Sequence, residues 1–457
     1  MTFAEIQKKF VAYYQNAGFQ QLPRASMLHP SIPLSFVMSA GLVQAEEVLL
    51  HSQERSGNRF VLVQDCFRHF DLKAVGTDGI HLSLFEMPGA FMFGRDGHGE
   101  LIARMWEFAV KSLRLDPQQI WISYFHGGTS NGQTLPKDET TYTAWQSLGI
   151  PEKRLIGMGL QDNYWIQGNG SHEANNELRK CGSCTEFFYD LGEERSCSPQ
   201  CRPGCHCGRF VEFANSLFIF SSFDPKTNQF SPLDDPYGET VIGTERAAML
   251  LQGAASVFAT AEYLSLIQII RDHATCENIS DAAQKKYERV LADHLRALYV
   301  LIGEGAPPPG KNGRARIIKL LVRSIITRMS LLGIEETVFL SAVCKAVSDF
   351  FIRDSETAQQ ETESTLQQYI ATERPQFERT VAVGRKELEK MLRENAGRSL
   401  SGAQLVFLEK QRGLPIVLAE SLLKRRELFF SEEEYNNALR YWREQAMIKL
   451  NKQGASL

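Results

Sequence analysis

Six of the nine cysteines fall within residues 181–215, at Cys181, Cys184, Cys197, Cys201, Cys205 and Cys207. Thiolates are soft ligands, and four of them on short turns are what a tetrahedral Zn²⁺ takes up. The two-residue gap between Cys181 and Cys184 suits one tight turn that aims two sulfurs at a single ion. A second group arrives from a Pro/Gly loop that cannot fold on apolar burial alone. Six cysteines and His206 exceed four ligands, so which four bind stays open. Disulfides or free thiols are the competing uses, but residues 2–14 read as an amphipathic helix rather than a secretory leader. Zinc is expected in a structural role, because nothing marks an open coordination position.

Three further places could do chemistry. Gly243-Thr244-Glu245-Arg246 opens a helix, where a glycine permits close approach and an arginine on the first turn can pair with phosphate. Read alone, it is better taken as an exposed Glu/Arg turn. Leu84-Phe85-Glu86-Met87-Pro88-Gly89 reads as a core strand ending in a turn. Arg68 follows an apolar strand and, alone, reads as an edge charge.

The elements that must carry these groups change character along the chain. Thr2-Phe3-Ala4-Glu5 spells a capping box, with Ile6, Phe10 and Tyr14 repeating behind it. Strands are predicted at residues 34–39, 59–67, 81–87 and 119–125, and on both sides of the cysteines at 186–191 and 216–222. Short turns between them suggest mostly antiparallel pairing. After Gly243 almost everything is helical by period, broken at Pro307-Pro308-Pro309-Gly310 and Leu414-Pro415. Residues 356–393 read as a helical hairpin or an extended arm. The fold class predicted is α+β, an antiparallel sheet flanked by helices (residues 1–250, with the cysteine insert at 181–207) and then an all-α domain (251–457). The length prior for 457 residues is about three domains. Net charge is −4, so any polyanion contact must come from a local basic face. No run reaches the apolar length of a membrane span. The cell interior, the cytoplasm, is the default compartment, with Cys66, Cys276 and Cys344 as buried packing residues.

The order of these motifs resembles the class II aminoacyl-tRNA synthetases. Arg68 at a strand end, the Phe85–Gly89 segment, Asn163-Tyr164-Trp165, CGSCTEFFYD at 181–190 and ETVIGTERAA at 239–248 follow one another as in that core. They are most similar to the alanine branch. The likeness extends through Ala292-Asp293-His294-Leu295-Arg296, GKNGRARIIKLLVR at 310–323 and Arg412-Gly413-Leu414-Pro415. It implies carboxylate attack on ATP to give an aminoacyl adenylate, with Mg²⁺ on the leaving phosphates, and then transfer to a tRNA. By the resemblance, Arg68 and Arg246 are the catalytic arginines, and Arg68, Phe85, Glu86 and Arg246 bind ATP. Trp165, Asn215 and Glu239 bind a small amino acid, and Asn312, Arg314 and Lys410 contact tRNA.

The departures from the family pattern are specific. Glu239 stands where the family keeps an aspartate for the substrate ammonium, a shift of one methylene in a pocket where that is worth roughly 1–3 kcal/mol of selectivity. The loop after Arg68 is shorter, with Lys73 at a usually acidic place. Lys410 takes the place of an aspartate and cannot accept hydrogen bonds. Full-length members continue into editing and carboxy-terminal domains, so proofreading in cis is expected to be absent. A paralogue passing the activated amino acid to a carrier protein or a metabolite is the alternative expectation.

Overall fold

In the computed structural model the described residues are 1–30, 36, 41–50, 58–94, 97–130, 132–167, 178–276, 279–352, 355–395 and 398–454. They form two compact units, Met1–Gln268 with Lys345–Asp354, and Ile269–Cys344 with Ser355–Leu457. The division falls beyond residue 250, and a short segment after residue 344 returns to the first unit.

The first unit is built on strands β1 (Gln20–Gln21), β2 (Arg59–Phe67), β3 (Leu84–Phe93), β4 (Ile120–Phe125), β5 (Gly128–Ser130), β6 (Gln133–Leu135), β7 (Leu155–Met158), β8 (Tyr164–Ile166), β9 (Arg179–Asp190), β10 (Phe210–Asp224) and β11 (Gln229–Ile242). The large sheet runs β1-β2-β3-β11-β10-β9-β4-β7, with β8 paired to β9. Its middle is antiparallel, as the short turns predicted, but β1–β2 and β4–β7 are parallel, so the sheet is mixed. Helices α1 (Phe3–Asn16), α2 (Leu42–Leu50), α3 (Gly97–Glu107), α4 (Glu139–Ser147), α5 (Leu160–Asn163) and α6 (Thr244–Leu251) flank it. The capping box at Thr2 and Glu5 is formed, and α1 buries Phe3, Ile6, Phe10 and Tyr14.

Long central strands explain two corrections. Residues 181–184 make no turn, because they lie inside β9, where Cys181 pairs with Ser221 and Cys184 with Leu217. Gly182 permits this. A Cβ there would sit 1.8 Å from the Phe218 carbonyl oxygen, so the two backbones touch where any other residue would part them. Likewise Pro88-Gly89 does not end a strand; β3 runs through it to Phe93. Pairing with β11 reaches only as far as Gly89, so Pro88 sits where β3 has a ladder on one side. The strand predicted at residues 34–39 lies outside the described residues except for Phe36.

Helix α7 (Ala261–His273) spans the boundary of the units. The second unit is helical: α8 (Asp281–Gly303), α9 (Gly313–Leu332), α10 (Glu336–Val347), α11 (Glu356–Glu394), α12 (Gly402–Gln411), α13 (Ile416–Lys424) and α14 (Glu432–Gly454). Neither a hairpin nor an arm forms at residues 356–393: α11 is one helix that carries Pro375 inside it. It packs on α8 and α9, while α12 packs on α14. Leu366, Ile370, Phe377, Val381, Leu388 and Leu392 give it a continuous buried stripe, which outweighs the one lost backbone bond at the proline. Among the described residues no helix is long and apolar enough to cross a membrane.

Candidate active site

The sheet of the first unit opens on one side into a cleft of about 600 Å³. Its wall is assembled from four places. Strand β3 offers Phe85 and Met87, the end of β2 leads to Arg68 and Asp71, the start of β10 gives Glu212 through Asn215, and α6 gives Glu245 and Arg246. Val241 near the end of β11 and Gly243 just before α6 belong to the same lining. Strand alternation decides which side chains reach it. Phe85 and Met87 face the cleft, whereas Glu86 points the other way and its Oε2 accepts a hydrogen bond from Gln7 at 2.7 Å. Glu86 therefore enters only through its backbone, whose N–H donates to Glu245 Oε2 at 3.1 Å; its carboxylate is not in the lining.

Two arginines bring positive charge to the cleft. The Arg68 guanidinium stands 4.8 Å from the centre of the Phe85 ring, a cation–π contact worth about 0.5–2 kcal/mol. Its backbone N–H donates to Ser83 O at 2.8 Å, which ties the end of β2 to the start of β3. Arg246 projects from the first turn of α6 and donates from Nη1 to the Glu212 carbonyl at 2.9 Å and to its carboxylate at 3.0 Å. Thus Arg68, not Arg246, lies over Phe85, while Arg246 is held on the opposite strand. Asp78 and His81 brace the loop at the mouth through a 2.5 Å contact. Burial works against the Asp78 charge, but hydrogen bonds from the His81 ring and from the backbone of His81 and Ile80 hold its carboxyl at about 2.

Deeper along the same sheet face lies a second set of side chains. Glu239 is registered between Leu217 on β10 and Phe91 on β3. It is 6% exposed, and its Oε2 has no hydrogen-bond partner among the described residues. Burial first, and then the Glu46 carboxylate, push its carboxyl up to about 8. Glu46 is itself held by Lys180 at 2.6 Å and by the Tyr237 hydroxyl. Trp165 and Cys184 pack beside Leu217 and Ile219 in that core. Asn215, opposite Glu186 on β9 and Val241 on β11, joins this set to the cleft. The structure so brings Arg68, Phe85, Asn215 and Arg246 into one lining, with Trp165 and Glu239 next along the face.

The acidic partners were not singled out from the sequence. Glu212 neutralises Arg246, and Glu186 beside it is pushed well above the carboxylate range by burial and then by Glu212. The signal was present, since each is a lone charge in an otherwise apolar strand (residues 210–214 and 185–189). Asp71 and His81 come from a loop whose path only the tertiary structure sets.

The cysteines separate into two groups. Cys181 is buried with Phe125, Tyr164, Phe223 and Phe230, and Cys184 packs in the core around Leu217. Three positions apart on a strand, they face opposite sides of the sheet, so they cannot share an ion with each other. Cys197, Cys201 and Cys205, in contrast, hold their sulfurs within 4.8 Å of one another, and Cys201 Sγ lies 3.5 Å from Cys207 Sγ. These three could hold a metal.

In the second unit Asn312 precedes α9 as its N-cap without a side-chain cap bond, and Arg314 follows, half-buried, on the first turn. Lys410 on α12 is paired with Glu409 at 3.0 Å and stands 6.0 Å from the Trp442 ring centre. The basic run along α9 is largely committed to the fold. Lys319 and Arg323 share Glu373, and Arg328 is buried deeply enough to lower its guanidinium to about 10. Lys311 and Arg316 are exposed.

A family model for tRNA synthetases class II (A) matches residues 5–456. The alanine–tRNA ligase of Desulforamulus reducens is 30% identical over 451 residues, 98% of this chain and 49% of that protein. The alanine–tRNA ligase of Desulforudis audaxviator is 29% identical over 453 residues, 98% of this chain and 48% of that protein. The chain thus spans about half the length of the curated relatives it matches.

Proposed function

Because the chain belongs to the class II tRNA synthetase (A) family, we propose that it activates alanine, or an amino acid of similar size, with ATP and passes it to a tRNA. The observation that carries this reading is the convergence of Arg68, Phe85, Asn215 and Arg246 on one cleft, with Glu239 buried beside it. A nucleotide base finds a flat π face in Phe85 and guanidinium planes in Arg68 and Arg246. Arg68 suits the α-phosphate and the attacking carboxylate, since a guanidinium can bond two oxygens at once. When the adenylate forms, the carboxylate oxygen bonds to the α-phosphorus and pyrophosphate leaves. The chain contributes positioning and charge neutralisation. Mg²⁺ would supply charge on the leaving phosphates, and Glu212 and Asp71 are the cleft carboxylates fit to share it.

In this reading Glu239 takes the substrate ammonium. Its Oε2, without a hydrogen-bond partner among the described residues, is free to take the positive charge that an amino acid brings. Leu217 and Cys184 stand in register with it and Trp165 packs on the same core, bulk that favours a small side chain. Contact with tRNA belongs to the second unit in this reading, through Asn312, Arg314, Lys311 and Arg316 at the start of α9 and through Lys410. Zinc enters as a structural ion on the cysteines beyond β9, remote from bond making, and the cytoplasm is the compartment that suits the activity.

Exchange of labelled pyrophosphate into ATP, run against the small amino acids with and without tRNA, tests this. Alanine-stimulated exchange and charging of alanine-accepting tRNA are expected. Absence of exchange with every small amino acid would end the reading, and exchange without charging would leave activation and remove the tRNA.

A further inference from the structure

We propose that the tip of the β9–β10 hairpin is a closed tetrathiolate zinc centre formed by Cys197, Cys201, Cys205 and Cys207, and that this ion fixes the strand segment that holds Arg246. The second half rests on the function proposed above; the first half does not.

The geometry is that of a metal knot. Zn–S bonds of about 2.3 Å in a tetrahedron put the sulfurs about 3.8 Å apart. The sulfurs of Cys197, Cys201 and Cys205 lie no more than 4.8 Å apart, and Cys207, outside that group of three, joins it through its 3.5 Å contact with Cys201. None of the four is in a disulfide. Cys181 and Cys184 drop out because β9 carries them into two separate apolar clusters. His206 is not among the ligand atoms that cluster there. Four ligands remain, which fills a tetrahedron and leaves no place for a reacting water.

The loop needs such a knot. Between Glu193 and Gly208 Pro203 alone is buried, so no apolar core closes this stretch. Its backbone is held by isolated turns, with Cys201 N–H donating to Ser198 O and Cys205 N–H to Arg202 O. Gly204 and Gly208 have φ of 96° and 79°, the left-handed conformation that lets a chain wrap tightly around a centre. Ordering so many residues without burial is unfavourable, and a tetrathiolate bond set can offset that.

From the knot the chain passes directly into the cleft. Arg209, two residues after Cys207, grips Asp190 with two bonds of 2.7 Å and so locks the base of the hairpin. Glu212 follows on the same strand, immediately before a register shift against β9, and its carbonyl and carboxylate are what hold Arg246. An ion that fixes residues 197–207 therefore restrains the strand on which the Arg246 anchor sits.

The test starts from the whole chain purified without chelator. Metal analysis should give about one zinc per chain, and replacement by Co²⁺ should give the visible absorption of a tetrahedral thiolate site. C201S should lose both, whereas C181S should keep both. Because C201S could misfold, alkylation followed by mass spectrometry of the wild-type chain is the second measurement: the four tip cysteines should be protected until a chelator is added. Zinc absent, iron in its place, disulfides among the four, or loss of metal in C181S would overturn the site. Removing zinc from the wild-type chain should weaken ATP binding about tenfold, and unchanged ATP affinity would overturn the coupling. Zinc with no pyrophosphate exchange keeps the site and removes the reaction; exchange in a zinc-free, freshly purified chain does the reverse.

Discussion

At the scale of single residues, Glu239 carries the most specific consequence. The folded chain keeps its proton up to about pH 8, whereas an exposed glutamate loses it near pH 4. Between those limits the folded state binds more protons than the unfolded one, so stability falls as pH rises through the window. Binding of an ammonium group needs the ionised carboxylate and moves the other way, tightening over the same range. Thermal unfolding of wild type should therefore show a melting temperature that drops between about pH 4 and about pH 8, with a shallower drop in E239Q. The amino-acid KM in the exchange assay should fall with pH in wild type and be flat in E239Q. Parallel pH curves for the two proteins would show that this carboxyl does not titrate as described. Arg68, Phe85, Asn215 and Arg246 were legible as a set because their order along the chain resembles a known core. The proton on Glu239 was not, since it depends first on burial between β10 and β3 and then on Glu46, which α2 places nearby with no hint in the spacing.

At the scale of elements, what local period and caps determine was legible in the sequence, and what a neighbouring strand decides was not. The capping box of α1 and the start of α6 at Thr244 were visible because they involve residues three or four apart. The Cys181–Cys184 pair read as a turn because its glycine and spacing are those of metal-binding turns. In the protein the same glycine serves close strand contact, which only β10 reveals. Replacement of Gly182 by alanine should thus be costly: the new Cβ would meet the Phe218 carbonyl at 1.8 Å, and overpacking of this kind costs at least about 1–3 kcal/mol. Gly99 in α3 has nothing within 4 Å of the corresponding position, so G99A should stabilise by about 0.5–1 kcal/mol. Chemical denaturation of both variants checks the contrast, and equal stabilities would mean the two strands can part without penalty. The long helix α11 teaches the same lesson from the other side. Its proline and charges suggested an interruption, yet its buried stripe, set by α8 and α9, holds it straight through.

At the scale of the whole molecule, the α+β then all-α succession was legible from the switch of periodicity after Gly243, and both units carry their own cores. Where the chain divides was not, because residues 345–354 return to the first unit from far along the sequence. The cleft is likewise a product of distant partners: β3 is hydrogen-bonded to β11, although β4 to β10 all lie between them in sequence. Closing so large a loop is slow relative to forming helices. In refolding experiments, helical circular dichroism should recover before fluorescent ATP-analogue binding does, and simultaneous recovery would contradict this order. During synthesis the same topology acts as a clock. The cleft cannot be complete on a nascent chain until Arg246 has emerged from the ribosome, so the strands made before it must wait, with unpaired edges, in the keeping of whatever shields them there.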